Sequence, residues 1–465
     1  MKFLSPVDAT FMRMETARTP MNIGILAIFR LPPDAPRTWL QDLFAHMRSL
    51  PATTPPFCYR LAHSPRTRLA PAWEIAPSID IDYHLRHSCL PYPGGERELG
   101  VLVARLHSNA MDTTRPLWEC HLIEGMERGR FGVYLKAHHA LLDGMGILSA
   151  IMGWLSADPT VANAPGPWAI VPNADPADMI EPPRLTMRTA VAQAGHALRA
   201  ANELQHTLTR MTRRKDNPYG GMYSVLSTPK TLFNRQITHQ RRLATQRFKL
   251  SRLKALSRAT NSTVNDLCLA IAGGAIRRYL MELGALPTAS VIASVPVGLA
   301  RQDGKPGNSV AGFVLPLSTQ IDDSLARLRS ITAITGRTKE QMRSMSPSAL
   351  EQLTLLGLTP IILGQWTGLS QKIPSLFNVI VSNVVASRVK LYLQGAELEA
   401  AYPASVLFDS YALNITIVGY ADHVCVGITG CRDAVPHVQR LAVYCGEMLD
   451  EMERAAGLPP PPAEP

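Results

Sequence analysis

The chain has 465 residues, of which 46% are hydrophobic and only 18% charged. That length exceeds one comfortable core and that composition excludes a disordered polar chain, so two domains with large buried surfaces are expected. A net charge of +10 points to anionic partners such as phospholipid surfaces or phosphorylated cofactors, whereas no nucleic acid is expected without RNA-recognition aromatics, zinc-finger spacing or basic heptads.

The opening MKFLSPVDATFMRMET is interrupted by Pro6, Asp8 and Arg13 before an apolar run of signal-peptide length builds up, which argues for a cytoplasmic location. Seven scattered cysteines without a CxxC pair imply reduced thiols. A strand is predicted over Ile23–Phe29 and helices over Arg37–Arg48 and Leu99–Met111.

The segment Phe131–Gly146 reads FGVYLKAHHALLDGMG. Phe131, Val133, Leu135 and Ala137 alternate with Gly132, Tyr134 and Lys136, so a strand over Gly132–Ala137 should deliver His138 and His139 on opposite faces. A neutral imidazole, with an ordinary pKa of about 6.5, accepts and returns a proton at cellular pH, which suits acyl transfer to a hydroxyl. No GxSxG elbow supports a covalent serine route. An isolated histidine pair is more often core packing. Metal ligation by His138, His139 and Asp143 is disfavoured because adjacent histidines diverge and no further ligands stand nearby, so neither a metal nor a redox cofactor is expected.

Beyond this, Asp158–Pro183 is dense in Pro, Ala and Asp and reads as an interdomain connection. Arg184–Lys215 is basic and proline-free, a helix that either links the domains or lies on an anionic membrane. Strands are predicted over Ser290–Val297, Phe377–Ser382, Leu413–Gly419 and Val424–Ile428, and helices over Val264–Glu282, Leu325–Arg343 and Val438–Ala455. Gln352–Gln371 is charge-free, but Pro360 and its polar residues favour a buried or surface-docking helical pair over a membrane span. With no GxGxxG after a strand, two α/β (α+β) lobes with mixed sheets fit better than a doubly wound nucleotide fold. The expected division is residues 1–157 as a first lobe, 158–222 as connection and basic helix, 223–456 as a second lobe and 457–465 as a mobile tail.

His138, His139, Asp143 and Gly144 reproduce an HHxxxDG motif, and several further segments follow in order. These are LSPVDATFMRMET with TPMNIG, Pro116-Leu117-Trp118, Asn265-Asp266, Gly307-Asn308-Ser309, Ser382-Asn383-Val384 and the run LYLQGAELEAAYPASVLFDSYALNITIVGY. Together they resemble the bacterial wax ester synthase / acyl-CoA:diacylglycerol acyltransferases. That family is a branch of the CoA-dependent acyltransferases, with chloramphenicol acetyltransferase and peptide-synthetase condensation domains.

The resemblance implies two chloramphenicol-acetyltransferase-like lobes with an interdomain tunnel, acyl-CoA as co-substrate, and a fatty alcohol or diacylglycerol as acceptor. Peripheral association with a membrane or lipid-droplet surface follows from the same likeness together with the charge. It further implies His139 as general base and Asp143 as an organiser of the fold pairing with an arginine, for which Arg301 is the candidate. His138 is left open between packing and assistance. Asn265 would donate a hydrogen bond to the reacting oxygen, with helix capping by Asn265 or Asp266 as the competing reading. Pro116–Trp118 would brace a core, and Ser382 and Asn383 would shape a turn.

Two departures stand out: Val385-Ala386-Ser387 replaces the usual Pro-Gly-Pro, and Asn22 stands where many members have histidine. Acylation of a different hydroxyl or amine, or a non-catalytic lipid-surface protein, are the alternatives in function.

Overall fold

The computed structural model describes residues 2–63, 67, 70–169, 228–298, 310–343, 345 and 359–460. Most of the expected connection, the whole basic stretch Arg184–Lys215, Arg301, Gly307–Ser309, residues 352–358 and the end of the tail lie outside the described residues.

Three short strands, β1 (Lys2–Phe3), β3 (Tyr59–Leu61) and β4 (Ala72–Ile75), form a small antiparallel sheet in the order β1-β4-β3. The first large sheet contains β2 (Asn22–Arg30), β5 (Leu85–Cys89), β6 (Trp118–Met126), β7 (Arg130–His138), β12 (Tyr392–Leu393) and β13 (Ala396–Ala404), in the order β12-β13-β2-β7-β6-β5. The second contains β8 (Arg241–Lys249), β9 (Ile292–Gly298), β10 (Val310–Pro316), β11 (Val379–Ser387), β14 (Leu413–Tyr420) and β15 (His423–Cys431), in the order β10-β9-β11-β14-β15-β8. β5 runs parallel to β6, and β11 runs parallel to both β9 and β14, so both sheets are mixed.

Burial on both faces accounts for the near-continuous apolar run of β2, NIGILAIFR, in which only Arg30 is exposed. Helix Val264–Glu282 has the expected ends because Thr263 caps it: its Oγ1 accepts from the Asp266 amide at 3.2 Å, while Asp266 Oδ2 accepts from the Thr263 amide at 3.0 Å. Thr263 is therefore the N-cap and Asp266 its partner in the capping box, so of the two candidates Asp266 takes part in capping. This helix packs tightly; a Cβ on Gly273 would meet the Leu317 carbonyl oxygen at 2.6 Å. Helices Val264–Glu282 and Gln439–Ala455 bury their apolar faces with the second sheet in one core.

The expected boundary at residue 223 separates the sequence but not the sheets. β12 and β13 come from the second half, yet β13 pairs with β2 from Glu397↔Arg30 to Ala404↔Gly24 and extends the first lobe's sheet. In this pairing Ala396, Leu398, Ala400 and Ala401 are all buried, and β2 offers them an apolar strand edge. The first lobe's core likewise takes in Phe408, Tyr411, Val418 and Tyr420. Of the charge-free segment, residues 359–367 are helical. No helix among the described residues is long and apolar enough to cross a membrane.

Candidate active site

The double histidine is positioned by main-chain bonds from both neighbouring strands. The His138 amide donates to the Leu117 carbonyl at 3.0 Å and the His139 amide to the Met21 carbonyl at 2.8 Å. The chain then turns, with Leu141 and Leu142 donating to the His138 carbonyl at 2.9 and 3.2 Å. Helix Gly144–Trp154 begins at Asp143, whose Oδ1 accepts from the Gly146 amide at 2.6 Å. Behind this turn Leu117 and Trp118 are fully buried, and Trp118 donates from Nε1 to the Phe57 carbonyl at 2.9 Å and stacks on Trp168 at 5.2 Å. The PLW motif thus braces the core and lends the motif one carbonyl.

His138 and His139 part company. His138 is buried; its Nδ1 accepts from the Ala140 amide at 3.0 Å and its Nε2 lies 3.6 Å from Glu15 Oε2. Glu15 also accepts from the Met21 amide at 3.1 Å. Burial would raise the Glu15 carboxyl, but His138, the Met21 amide and Lys136 together outweigh it and hold the group below its ordinary range.

His139 keeps a partial opening to the surface, and its ring stacks on Phe11 with centroids 4.0 Å apart and planes 17° apart. Its Nδ1 is buried, and desolvation lowers the His139 pKa to about 4, with His138 adding to the effect and its own main-chain carbonyl and Asp143 opposing it. At neutral pH the ring is uncharged. Phe11 and Glu15 are the residues that sequence reasoning left without a role, although both sit in the opening segment and their spacing of four places them on one side of helix Pro6–Met14 and its C-cap.

The same face of β7 carries Tyr134, Lys136 and His138. Lys136 has no solvent exposure; its Nζ lies 3.1 Å from Glu119 Oε2 and donates to the Leu106 and Asn109 carbonyls at 3.1 and 3.2 Å. Burial would raise the Glu119 carboxyl, but His121 and Lys136 bring it down to about 2. His107 meets the Tyr134 hydroxyl at 2.7 Å, and burial drives its pKa down to about 3. Asn22, paired with His138 across the sheet, is buried and donates to the His107 and Asn109 carbonyls at 3.1 and 2.7 Å, so its side chain is tied into this lattice.

From the second lobe, Asn265 accepts at Oδ1 from Asn383 Nδ2 at 3.1 Å. Asn383 lies within β11, as does Ser382, and not in the turn expected for them. Without Pro-Gly-Pro the strand continues through Val385 to Ser387, with a bulge between those two. β11 packs against helix Gly144–Trp154, which brings the second lobe's motif strand to the helix that Asp143 begins. For Asp143 the described contact is the cap, since Arg301 is outside the described residues. Among the described residues no three His, Cys, Asp or Glu side chains are placed to share a metal ion. An open surface pocket of about 490 Å3 is lined by Arg13, Thr16, Gln365 and Trp366.

Comparison with known proteins agrees with this arrangement. Residues 4–268 match the model of the "Wax ester synthase/diacylglycerol acyltransferase catalytic domain" and residues 306–453 that of the "WS/DGAT C-terminal domain". The chain is 46% identical over 456 residues to the Mycobacterium tuberculosis protein named "Putative diacyglycerol O-acyltransferase Rv2285", covering 98% of this chain and 100% of that one. It is 33% identical to "O-acyltransferase WSD" of Acinetobacter baylyi, over 97% of each chain. The structure of the wax ester synthase/diacylglycerol acyltransferase from Marinobacter aquaeolei VT8 superposes with a TM-score of 0.80 at 33% identity, over 98% of this chain and 100% of that one. The first condensation domain of the CDA synthetase shares the two-lobed fold at a TM-score of 0.60 and 17% identity, over 98% of this chain and 97% of that one. With both family models matched in order along most of its length, the chain belongs to the wax ester synthase/diacylglycerol acyltransferase family of O-acyltransferases.

Proposed function

We propose that the protein moves a long-chain acyl group from acyl-CoA to a fatty alcohol or diacylglycerol, yielding a wax ester or triacylglycerol, with His139 as the general base. The observation that carries this reading is the neutral, desolvated His139 ring at the end of β7, inside a motif shared with the family. Its Nδ1 is buried without a hydrogen-bond partner, and Nε2 is the nitrogen this reading assigns as the acceptor.

In the proposed cycle Nε2 takes the acceptor's hydroxyl proton as the oxygen attacks the thioester carbonyl. The tetrahedral oxyanion needs a donor, and Asn265 suits the role because Asn383 occupies its Oδ1 and leaves Nδ2 to donate. The carbon–sulfur bond breaks, and the CoA thiolate takes the proton back from the imidazolium. His138 and Asp143 serve as positioning residues, and acyl-CoA is a co-substrate, with no separate cofactor in the cycle.

Such acceptors are insoluble in water, so the reading includes contact with a membrane or lipid-droplet surface by a peripherally bound cytoplasmic protein. The net charge of +10 supports it, as do Leu363, Trp366 and Leu369, each nearly half exposed on and just after helix 359–367.

Incubating the purified protein with labelled acyl-CoA and a panel of fatty alcohols, diacylglycerols, other alcohols and amines tests the whole reading. Ester formation only with the lipid acceptors, lost in His139→Ala, is the expected result; transfer confined to amines or other hydroxyls would overturn the acceptor class.

A further inference from the structure

The helix Pro6–Met14 is held more firmly than a chain terminus requires. Ser5 Oγ accepts from the Asp8 amide at 3.1 Å at its start. At its end Gln365 Nε2 donates to the Met14 carbonyl at 2.7 Å and to Thr19 Oγ1 at 2.6 Å, while Gln365 Oε1 accepts from the Asp409 amide at 3.2 Å. With the Leu4 amide just before the helix donating to the Pro71 carbonyl at 2.9 Å and its end held by Gln365, the Phe11 ring has a defined place, 4.0 Å from the His139 ring and nearly parallel to it, with Phe408 6.5 Å away.

An imidazole turns broadly about its terminal torsion, and a general base is useful only while its acceptor nitrogen points at the hydroxyl. A parallel aromatic wall at stacking distance blocks that rotation, because turning the imidazole out of plane drives its edge into the wall. The same wall keeps water from one face of the ring. We propose that Phe11 is a positioning residue for His139, fixing the imidazole plane by stacking and shielding it from water. This rests on the reading of His139 as the base.

Phe11→Leu keeps apolar bulk but removes the planar wall, and Phe11→Tyr keeps the wall. In Phe11→Leu, kcat should fall by about tenfold or more with KM for acyl-CoA and acceptor unchanged, as expected when a reacting group is misaligned. The second readout is independent of turnover: nitrogen-15 NMR of the histidine rings from pH 4.5 to 8. The groups acting on His139 are Asp143 and His138, with Glu15 and Lys136 beyond His138, and none is altered by these variants. In the native protein His139 should begin to protonate only at the acid end of the range, in Phe11→Leu its titration should move up toward the ordinary value, and Phe11→Tyr should behave as native.

A folded Phe11→Leu protein with native kcat and a native His139 titration overturns the proposal. If Phe11→Leu does not fold, Phe11→Met makes the same comparison. His139→Ala is run alongside. Native turnover in His139→Ala removes the base reading; an inactive His139→Ala beside a native Phe11→Leu removes only the role of Phe11.

Discussion

Asn383 and Asn265, 118 residues apart, join side chain to side chain through Nδ2 and Oδ1 at 3.1 Å. The bond selects one of two orientations for the Asn265 amide. Asn383→Asp preserves shape but removes the donor, so it should impair kcat about as much as Asn383→Ala, by about tenfold, with KM little changed. Steady-state kinetics on both variants decide the matter, and a native kcat in Asn383→Asp would leave the pair a packing contact.

The two histidines should separate in their failures. His139→Ala is expected to lose turnover by at least about a hundredfold while melting near the native temperature. His138→Ala deprives the Ala140 amide of its acceptor and Glu15 of its neighbour, so stability should fall by about 1–3 kcal/mol. Thermal melts beside activity assays resolve this, and equal melting temperatures would speak against the structural role of His138.

Asp143 has Gly146 as its described partner through a helix cap. A cap is transferable to asparagine, so Asp143→Asn should melt near the native temperature and Asp143→Ala should lose about 1 kcal/mol. Buried ion pairing would behave otherwise: both substitutions would then cost about 3–5 kcal/mol.

Acid should destabilise the fold well before its carboxylates are protonated. Burial lowers His107 to about 3 and His139 to about 4, below their unfolded value of about 6.5. Between those limits the unfolded chain binds more protons, so stability is full above pH 6.5 and declines as pH falls, by at most about 1.4 kcal/mol per pH unit for each histidine. Glu119, lowered to about 2 with its positive neighbours outweighing burial, adds a further loss only below about pH 4.5. Melting temperatures of the native protein and His107→Gln from pH 7.5 to 4.5 check the assignment; the variant should show the shallower decline.

The lipid-surface reading predicts that Trp366→Gln with Leu363→Gln weakens flotation with anionic vesicles, and that native binding declines with salt. Equal flotation by both proteins at all salt concentrations would remove helix 359–367 from the contact.

Much of this was legible in the chain. Alternation along Phe131–Ala137 placed β7 and sent His138 and His139 to different surroundings, and the apolar run after Thr263 placed its helix to the residue. What stayed illegible is long-range. Nothing local in Ala396–Ala404 says that it joins β2 and not a strand of its own half, because a buried strand's composition does not name its partner. Phe11 and Glu15 were legible as a motif but their targets were not, since the stacking on His139 and the approach of Glu15 to His138 depend on where helix Pro6–Met14 is pinned by Gln365. Asn383 was misread as a turn residue because the replacement of Pro-Gly-Pro by Val385-Ala386-Ser387 frees the strand to continue.

The pairing of β13 with β2 also governs synthesis. As the chain leaves the ribosome, β2 emerges early and can pair with β7, but its other edge has no occupant until Glu397–Ala404 have been made. An apolar strand edge left open for most of translation is a site for mispairing between nascent chains. The first lobe's sheet therefore waits on the second half of the chain. Truncation before Tyr392 should leave an aggregating fragment, and the two halves should yield native protein only when both are present during folding.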